Sequence, residues 1–186
     1  MSDFRVASRY AKSLLELSNE QGVLEEVNDD MKLFNEVCKE NFEFVLMLRN
    51  PVIKADKKKA ILDKVFTGKV NKLTLAIFEI MTRKNREGIL PQVAIEFRRQ
   101  YNTLRKIGVA TVTTAAALTE ELRGEMKEMA AKISGKKDIE LKEIIDDEII
   151  GGYILKMGDQ QIDDSIRTKL NTLAKEVSHK HYVREI

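Results

Sequence analysis

Gly151-Gly152, the acidic run Asp146-Asp147-Glu148, the basic run Lys57-Lys58-Lys59, His179 with His181, and Cys38 are the residues whose types could do chemistry. A double glycine cradles phosphate when it lies between a strand and a helix. Here it stands in front of the apolar run Tyr153 to Met157, and no Gly-Lys-Ser/Thr follows, so it reads as a place where two backbones approach closely. The acidic run has the charge to hold a cation, but apolar Ile149-Ile150 follows at once, and an exposed loop before a buried strand explains it. The two histidines lack a second pair of ligands at suitable spacing and read as solvated tail residues. The three lysines open a helix without interleaved aromatics to stack bases, and their expected role is solvation. Cys38 lies in the periodic run Leu33, Phe34, Val37, Cys38 and is expected to be a small core residue, which leaves disulfides out of the fold. No nucleophile, general base and oxyanion donor assemble along the chain. Catalytic, cofactor-binding and metal-ligating residues are therefore not assigned, and no cofactor is expected.

The elements that position these residues follow from composition and pattern. The 186 residues are 43% hydrophobic, enough to bury one medium core or two small ones. Lys and Arg number 32 against 30 acids, and a net charge of +2 gives no long-range attraction to nucleic acid. Two prolines, nine glycines and no tryptophan in a chain rich in Glu, Lys, Leu and Ile indicate a mainly α protein. No charged-then-apolar leader opens the sequence, and no apolar run approaches the roughly 18 to 20 residues that span a bilayer. A soluble cytoplasmic protein is expected, without direct membrane insertion.

Residues 1–105 repeat a helical period broken by stop signals. The first helix carries Val6, Tyr10, Leu14 and Leu17 beside Ala7, Ala11 and Leu15, and ends at Gly22. A second carries Leu24, Val27, Met31, Phe34 and Cys38; a third, Phe42 to Leu48, stops at Asn50-Pro51. The fourth covers Asp56 to Phe66. The fifth starts from Asn71 as N-cap and runs through Leu73, Ala76, Ile77, Ile80 and Met81 to the break at Asn85-Arg86-Glu87-Gly88. The sixth begins around Leu90-Pro91 and carries Val93, Phe97, Tyr101 and Leu104. Short links between helices predict an antiparallel six-helix bundle.

At Lys106-Ile107-Gly108 the texture changes. Val109 to Thr114 is β-branched and alternating, Thr119 caps a helix ended by Gly135, and Ile139, Leu141 and Ile144, then Tyr153 to Met157, predict two more strands. Gly158-Asp159 is a turn, Asp163 to Ser165 supplies capping oxygens, and a final amphipathic helix uses Ile166, Leu170, Leu173 and Val177. Residues 106–186 are predicted to be a small α+β domain.

The first and fifth helices carry more apolar surface than one core-facing stripe requires. Ala7, Tyr10, Ala11 and Leu14 pair small residues with a ring whose hydroxyl reaches water, while Leu73, Ile77 and Ile80, with Met81 beside them, line the fifth helix. Side by side, two such faces make a groove for an amphipathic helix from another protein; burial of both stripes inside the bundle is the competing outcome.

The order of these pieces closely resembles the delta subunit of bacterial F-type ATP synthase, the family of the oligomycin sensitivity conferral protein. Val6 to Leu14 resembles its opening helix, with serine at 13 where alanine is common. Asn50-Pro51, Lys59 with Ile61-Leu62, Asn85-Arg86, Leu90-Pro91 and Phe97 resemble its middle. Val112, Thr114 to Leu118, Ile150-Gly151-Gly152, Gly158-Asp159 and Ile162 to Ile166 resemble its C-terminal signature, with Asp164 where glycine is usual. The resemblance implies a non-catalytic stator connector, one copy per complex, on the cytoplasmic face of the inner membrane. It implies that residues 1–105 bind the N-terminal helix of the alpha subunit between helices 1 and 5, and that residues 106–186 bind the C-terminal region of the peripheral-stalk b subunit. A regulatory adaptor for some other amphipathic helix fits the bundle pattern equally well, and an enzyme whose residues converge from distant positions is the third reading.

Overall fold

Helix α1, Asp3–Glu20, stops where Gly22 takes the left-handed conformation at φ +72°, which a residue with a Cβ adopts only at a cost. The computed structural model describes residues 3–180, with side chains to 177, and divides the chain into two compact units, Met1–Leu104 and Arg105–Ile186.

In the first unit α1 is followed by α2 (Leu24–Glu40), α3 (Phe42–Arg49), α4 (Ala55–Phe66), α5 (Lys72–Arg83), a 3-10 turn at Glu87–Ile89, and α6 (Leu90–Leu104). Phe34, Phe44, Phe66 and Phe78, one from each of α2 to α5, meet with ring centroids 5.0–6.3 Å apart and form the aromatic centre. Phe34, Phe66 and Phe78 are at most 2% exposed, and burying each is worth roughly 1.5–3 kcal/mol. The inner stripe of α5 is thereby fixed by Phe78.

The start of α5 is fixed by polar contacts. Asn71 Oδ1 accepts from Leu73 N at 3.0 Å, the N-cap expected from sequence. Buried Asp30 of α2 accepts from Asn71 N at 2.7 Å and from Thr74 Oγ1 at 2.6 Å, tying the two helices together. Helix α1 is held to α6 through Gln100 Nε2, which donates to the Ser8 carbonyl at 3.1 Å, and Tyr101 Oη of α6 donates to Glu25 of α2 at 2.5 Å.

The solvation expected of the basic run fails at its middle residue. Lys58 is 2% exposed; its Nζ donates to the Leu48 carbonyl at 2.8 Å and to Glu87 Oε1 at 2.5 Å. Helical phase explains it, since Lys58 lies four residues before Leu62 and eight before Phe66, both buried. Lys57 stays exposed, and Lys59 reaches Glu79 on α5 at 2.6 Å. Cys38 is half-buried rather than part of the core, because it lies near the end of α2, and burial pushes its thiol up to about 11.

The second unit is a four-stranded mixed sheet in the order β2-β1-β3-β4, with β1 Gly108–Thr114, β2 Ile139–Ile145, β3 Tyr153–Met157 and β4 Gln160–Asp163. Strand β1 runs parallel to β2, with Ala110 beside Leu141, and antiparallel to β3, with Val112 beside Leu155. The β1–β2 crossover is α7 (Glu120–Ser134), capped by Thr119 Oγ1, which accepts from Leu122 N at 3.4 Å. Met126 and Ala130 of α7 pack on Ala110, Val112 and Leu155 to form this unit's core. Strand β4 is absent from the sequence prediction: all four of its residues are exposed and only Ile162 among them favours a strand, but it pairs antiparallel with β3 from Ile154–Asp163 to Met157–Gln160. Helix α8, Ile166–Lys180, follows directly.

Candidate functional site

The residues assigned to the helix 1–helix 5 groove separate by exposure. Ala7, Ala11, Leu14, Ile77 and Met81 are buried inside the bundle, Tyr10 and Leu73 are half-buried, and Ile80 is 37% exposed. The small side chains of Ala7 and Ala11 thus serve packing within the unit, where α1 lies chiefly on α6 and also touches α5. Of the assigned residues, only Tyr10, Leu73 and Ile80, called the rim below, keep accessible surface, and Leu17, which belongs to the same α1 stripe, is 42% exposed. Phe78 and Thr82, on the neighbouring face of α5, are buried inside the bundle.

Tyr10 is positioned by a residue that sequence reasoning did not single out for this purpose. Arg86, in the break after α5, donates from Nη1 to Tyr10 Oη at 3.3 Å and links α1 to the segment that ends α5. That segment is in turn anchored by the neighbouring Glu87, through the ion pair with Lys58. Tyr10 is therefore connected to α4 through Arg86 and the Glu87 turn.

In the second unit the double glycine does what its sequence suggested. A Cβ on Gly152, at φ +78°, would stand 2.4 Å from the Asp164 carbonyl oxygen, and Ile166 N donates to the Gly151 carbonyl at 3.0 Å. The two backbones are in contact, and α8 starts from that contact. Ser165 is its N-cap: Oγ accepts from Thr168 N at 3.2 Å, while Asp163 Oδ1 accepts from Ser165 N at 3.0 Å and Oδ2 from Thr168 Oγ1 at 3.0 Å. Bonds from Ser165, side chain then backbone, and from Thr168 hold the Asp163 carboxyl below its ordinary range. Its contribution is then complete above the ordinary carboxylate range and disappears as pH falls through the lowered folded value. NMR titration will show the Ser165 and Thr168 amides losing their native shifts in acid, and Asp163→Asn will remove that titration.

Along α8 the predicted stripe stays largely exposed among the described residues. Ile166 is 43%, Leu170 52%, Leu173 55% and Val177 60% exposed, at i, i+4, i+7 and i+11, a continuous apolar face of one helix. Ile150, beside the glycine pair, is 61% exposed and held at φ +68°, a strained position for a β-branched residue. Ile144 and Ile145 at the end of β2 are also exposed. Sequence periodicity identified the α8 stripe but gave no sign that the fold leaves it open.

Among the described residues no three His, Cys, Asp or Glu side chains gather as metal ligands would. His181 lies outside the described residues, and so does the side chain of His179. Asp146 Oδ1 accepts from Glu148 N at 3.0 Å, so the acidic run caps a 3-10 turn at Asp147–Ile149 that buries Ile149.

A sequence model of the family described as ATP synthase delta (OSCP) subunit matches residues 6–177. The chain is 43% identical to ATP synthase subunit delta of Cytophaga hutchinsonii, covering 93% of this chain and 94% of the relative. It is 38% identical to the subunit of the same name from Amoebophilus asiaticus, over 97% and 98% of the two chains. Among solved structures, a chain of the Toxoplasma gondii mitochondrial ATP synthase hexamer matches with a TM-score of 0.71 at 21% identity, covering 92% of this chain and 96% of that one, a likeness of fold.

Proposed function

The chain belongs to the ATP synthase delta (OSCP) subunit family, and from that membership we propose that it is a non-catalytic stator connector that links the catalytic head to the peripheral stalk. Its work is mechanical: by holding the head against the torque of the rotor it couples proton-driven rotation to ATP synthesis, and it contributes no nucleotide site.

The observation that carries this reading is the open apolar face of α8, paired in the same chain with a second open apolar rim on the helical unit. A chain with apolar surface exposed on each of its two units can engage two partner helices. In the proposal, the rim of Tyr10, Leu73 and Ile80 receives the N-terminal helix of the alpha subunit, with buried Ala7, Ala11, Leu14, Ile77 and Met81 as its supporting floor. The α8 stripe receives the C-terminal region of the b subunit. No helix among the described residues is long and apolar enough to cross a membrane, and attachment at the cytoplasmic face of the inner membrane follows through the other subunits.

Tyr10→Asp tests the head contact. A carboxylate replaces a half-buried ring that Arg86 holds, and binding of an alpha-subunit N-terminal peptide weakens by more than ~2 kcal/mol, the scale of an interface hot spot. Titration calorimetry checks this, with Ile80→Asp as the companion at an already exposed position. Unaltered affinity in both folded variants would remove the peptide from this rim.

A further inference from the structure

We propose that Arg86 is a specificity-determining residue of the Tyr10 rim, which pairs with a carboxylate side chain on the partner helix that lies there. The inference rests on the head contact proposed above and names the chemistry that the guest brings to one end of it.

The backbone of Arg86 is fixed from both sides. Helix α5 ends in a Schellman turn: Arg86 N donates to the Met81 carbonyl at 2.9 Å and Asn85 N to the Thr82 carbonyl at 2.9 Å, with Asn85 left-handed at φ +52°. The next residue, Glu87, is buried and tied to Lys58. The Arg86 side chain itself stays exposed. Its Nη1 donates to Tyr10 Oη at 3.3 Å, a bond that uses one of five N–H donors and brings no counter-charge.

The acids of this segment are committed elsewhere. Glu79, the only acid on α5, is bonded to Lys59 at 2.6 Å, and Glu87 to Lys58. Arg86 forms no ion pair among the described residues. Arg83 and Lys84 stand exposed on the same segment, so three cations face only the partial negative charge, about half a unit, at the C-terminus of α5.

An excess cation at the edge of an apolar surface selects its partner by charge. A guest with an acid there gains a two-point guanidinium–carboxylate bond, and one with lysine or arginine there is repelled. Leu73 lies in the first turn of α5 and Ile80 two turns further, roughly 10 Å along the axis, with Arg86 beyond the last turn. The acid therefore flanks the apolar stripe of the guest at one end only, and this asymmetry sets the direction in which the guest lies.

Titration calorimetry of the full chain with the alpha-subunit N-terminal peptide, each acid of the peptide changed in turn to its amide, tests the pairing. One such change is expected to weaken binding at least fivefold with the parent chain at low salt and less than twofold with Arg86→Gln. Added salt weakens binding of the unaltered peptide more steeply with the parent than with Arg86→Gln, because the variant has lost a charge pair that salt screens. If Arg86→Gln weakens every peptide by the same factor, Arg86 only supports Tyr10 and the proposal is overturned; unaltered affinity of Arg86→Gln overturns it as well. The rim is judged apart from the pairing. Weaker binding by Tyr10→Asp and Ile80→Asp with no peptide acid coupled to Arg86 overturns this inference alone, whereas unaltered affinity in both overturns the head contact and this inference with it.

Discussion

Lys58→Met lowers the stability of the helical unit by about 3–5 kcal/mol, because it leaves the buried Glu87 carboxylate without its counter-charge. The pair joins three segments: Lys58 on α4, the carbonyl of Leu48 at the end of α3, and the turn after α5. Removing the ammonium leaves the Leu48 carbonyl without that donor and deprives the turn of its anchor. Urea unfolding of the full chain, followed through the transition of this unit, measures the loss. The double variant Lys58→Met/Glu87→Met recovers most of it, since apolar replacement of a whole buried ion pair is often neutral or stabilising. A single variant as stable as the parent would show that the pair bears no net load. Because Glu87 adjoins Arg86, which holds Tyr10, the single variant also weakens peptide capture at the rim, whereas a purely local role for the pair leaves capture intact.

Gly152→Ala destabilises the second unit by at least ~3 kcal/mol, beyond the ordinary range for a point substitution. Two costs combine. A left-handed conformation at φ +78° costs an L-residue roughly 1–2 kcal/mol, and the new Cβ would stand 2.4 Å from the Asp164 carbonyl oxygen, a backbone atom that moves only with the start of α8. Gly22→Ala is the control: it shares a left-handed φ of +72° but meets nothing within 4 Å, so it carries the conformational cost alone. Thermal or urea unfolding of the two variants separates the terms. Equal losses at both positions would mean that the close approach to α8 contributes nothing.

Local chemistry made most helix boundaries legible. Asn71 and Thr119 cap the helices they were read to cap, Gly22 stops α1, and Pro91 lies in the first turn of α6. Each of these signals acts within a few residues of itself. Strand β4 was not legible because Gln160 to Asp163 carries no alternation of apolar and polar side chains; its order comes from backbone pairing to β3 across the turn at Gly158, φ +56°. Lys58 was misread because three consecutive lysines look alike until helical phase is compared with Leu62 and Phe66, and its partner lies 29 residues away. At the groove, the residue types on α1 and α5 were visible, but the division between floor and rim depends on how six helices enclose one another. Met81, at 0% exposed, and Ile80, at 37%, are adjacent in sequence and face opposite environments. The α8 stripe shows the reverse case: its periodicity was plain, and only the fold reveals that it stays exposed among the described residues.

A bridge must hold both partners at once, and native mass spectrometry of the full chain mixed with an alpha-subunit N-terminal peptide and a soluble C-terminal segment of the b subunit tests that most directly. A ternary complex with one copy of each is predicted, reduced to a binary complex with the b segment by Tyr10→Asp and to one with the alpha peptide by Leu170→Asp on α8. Displacement of one partner by the other, or the absence of any complex containing both, contradicts it.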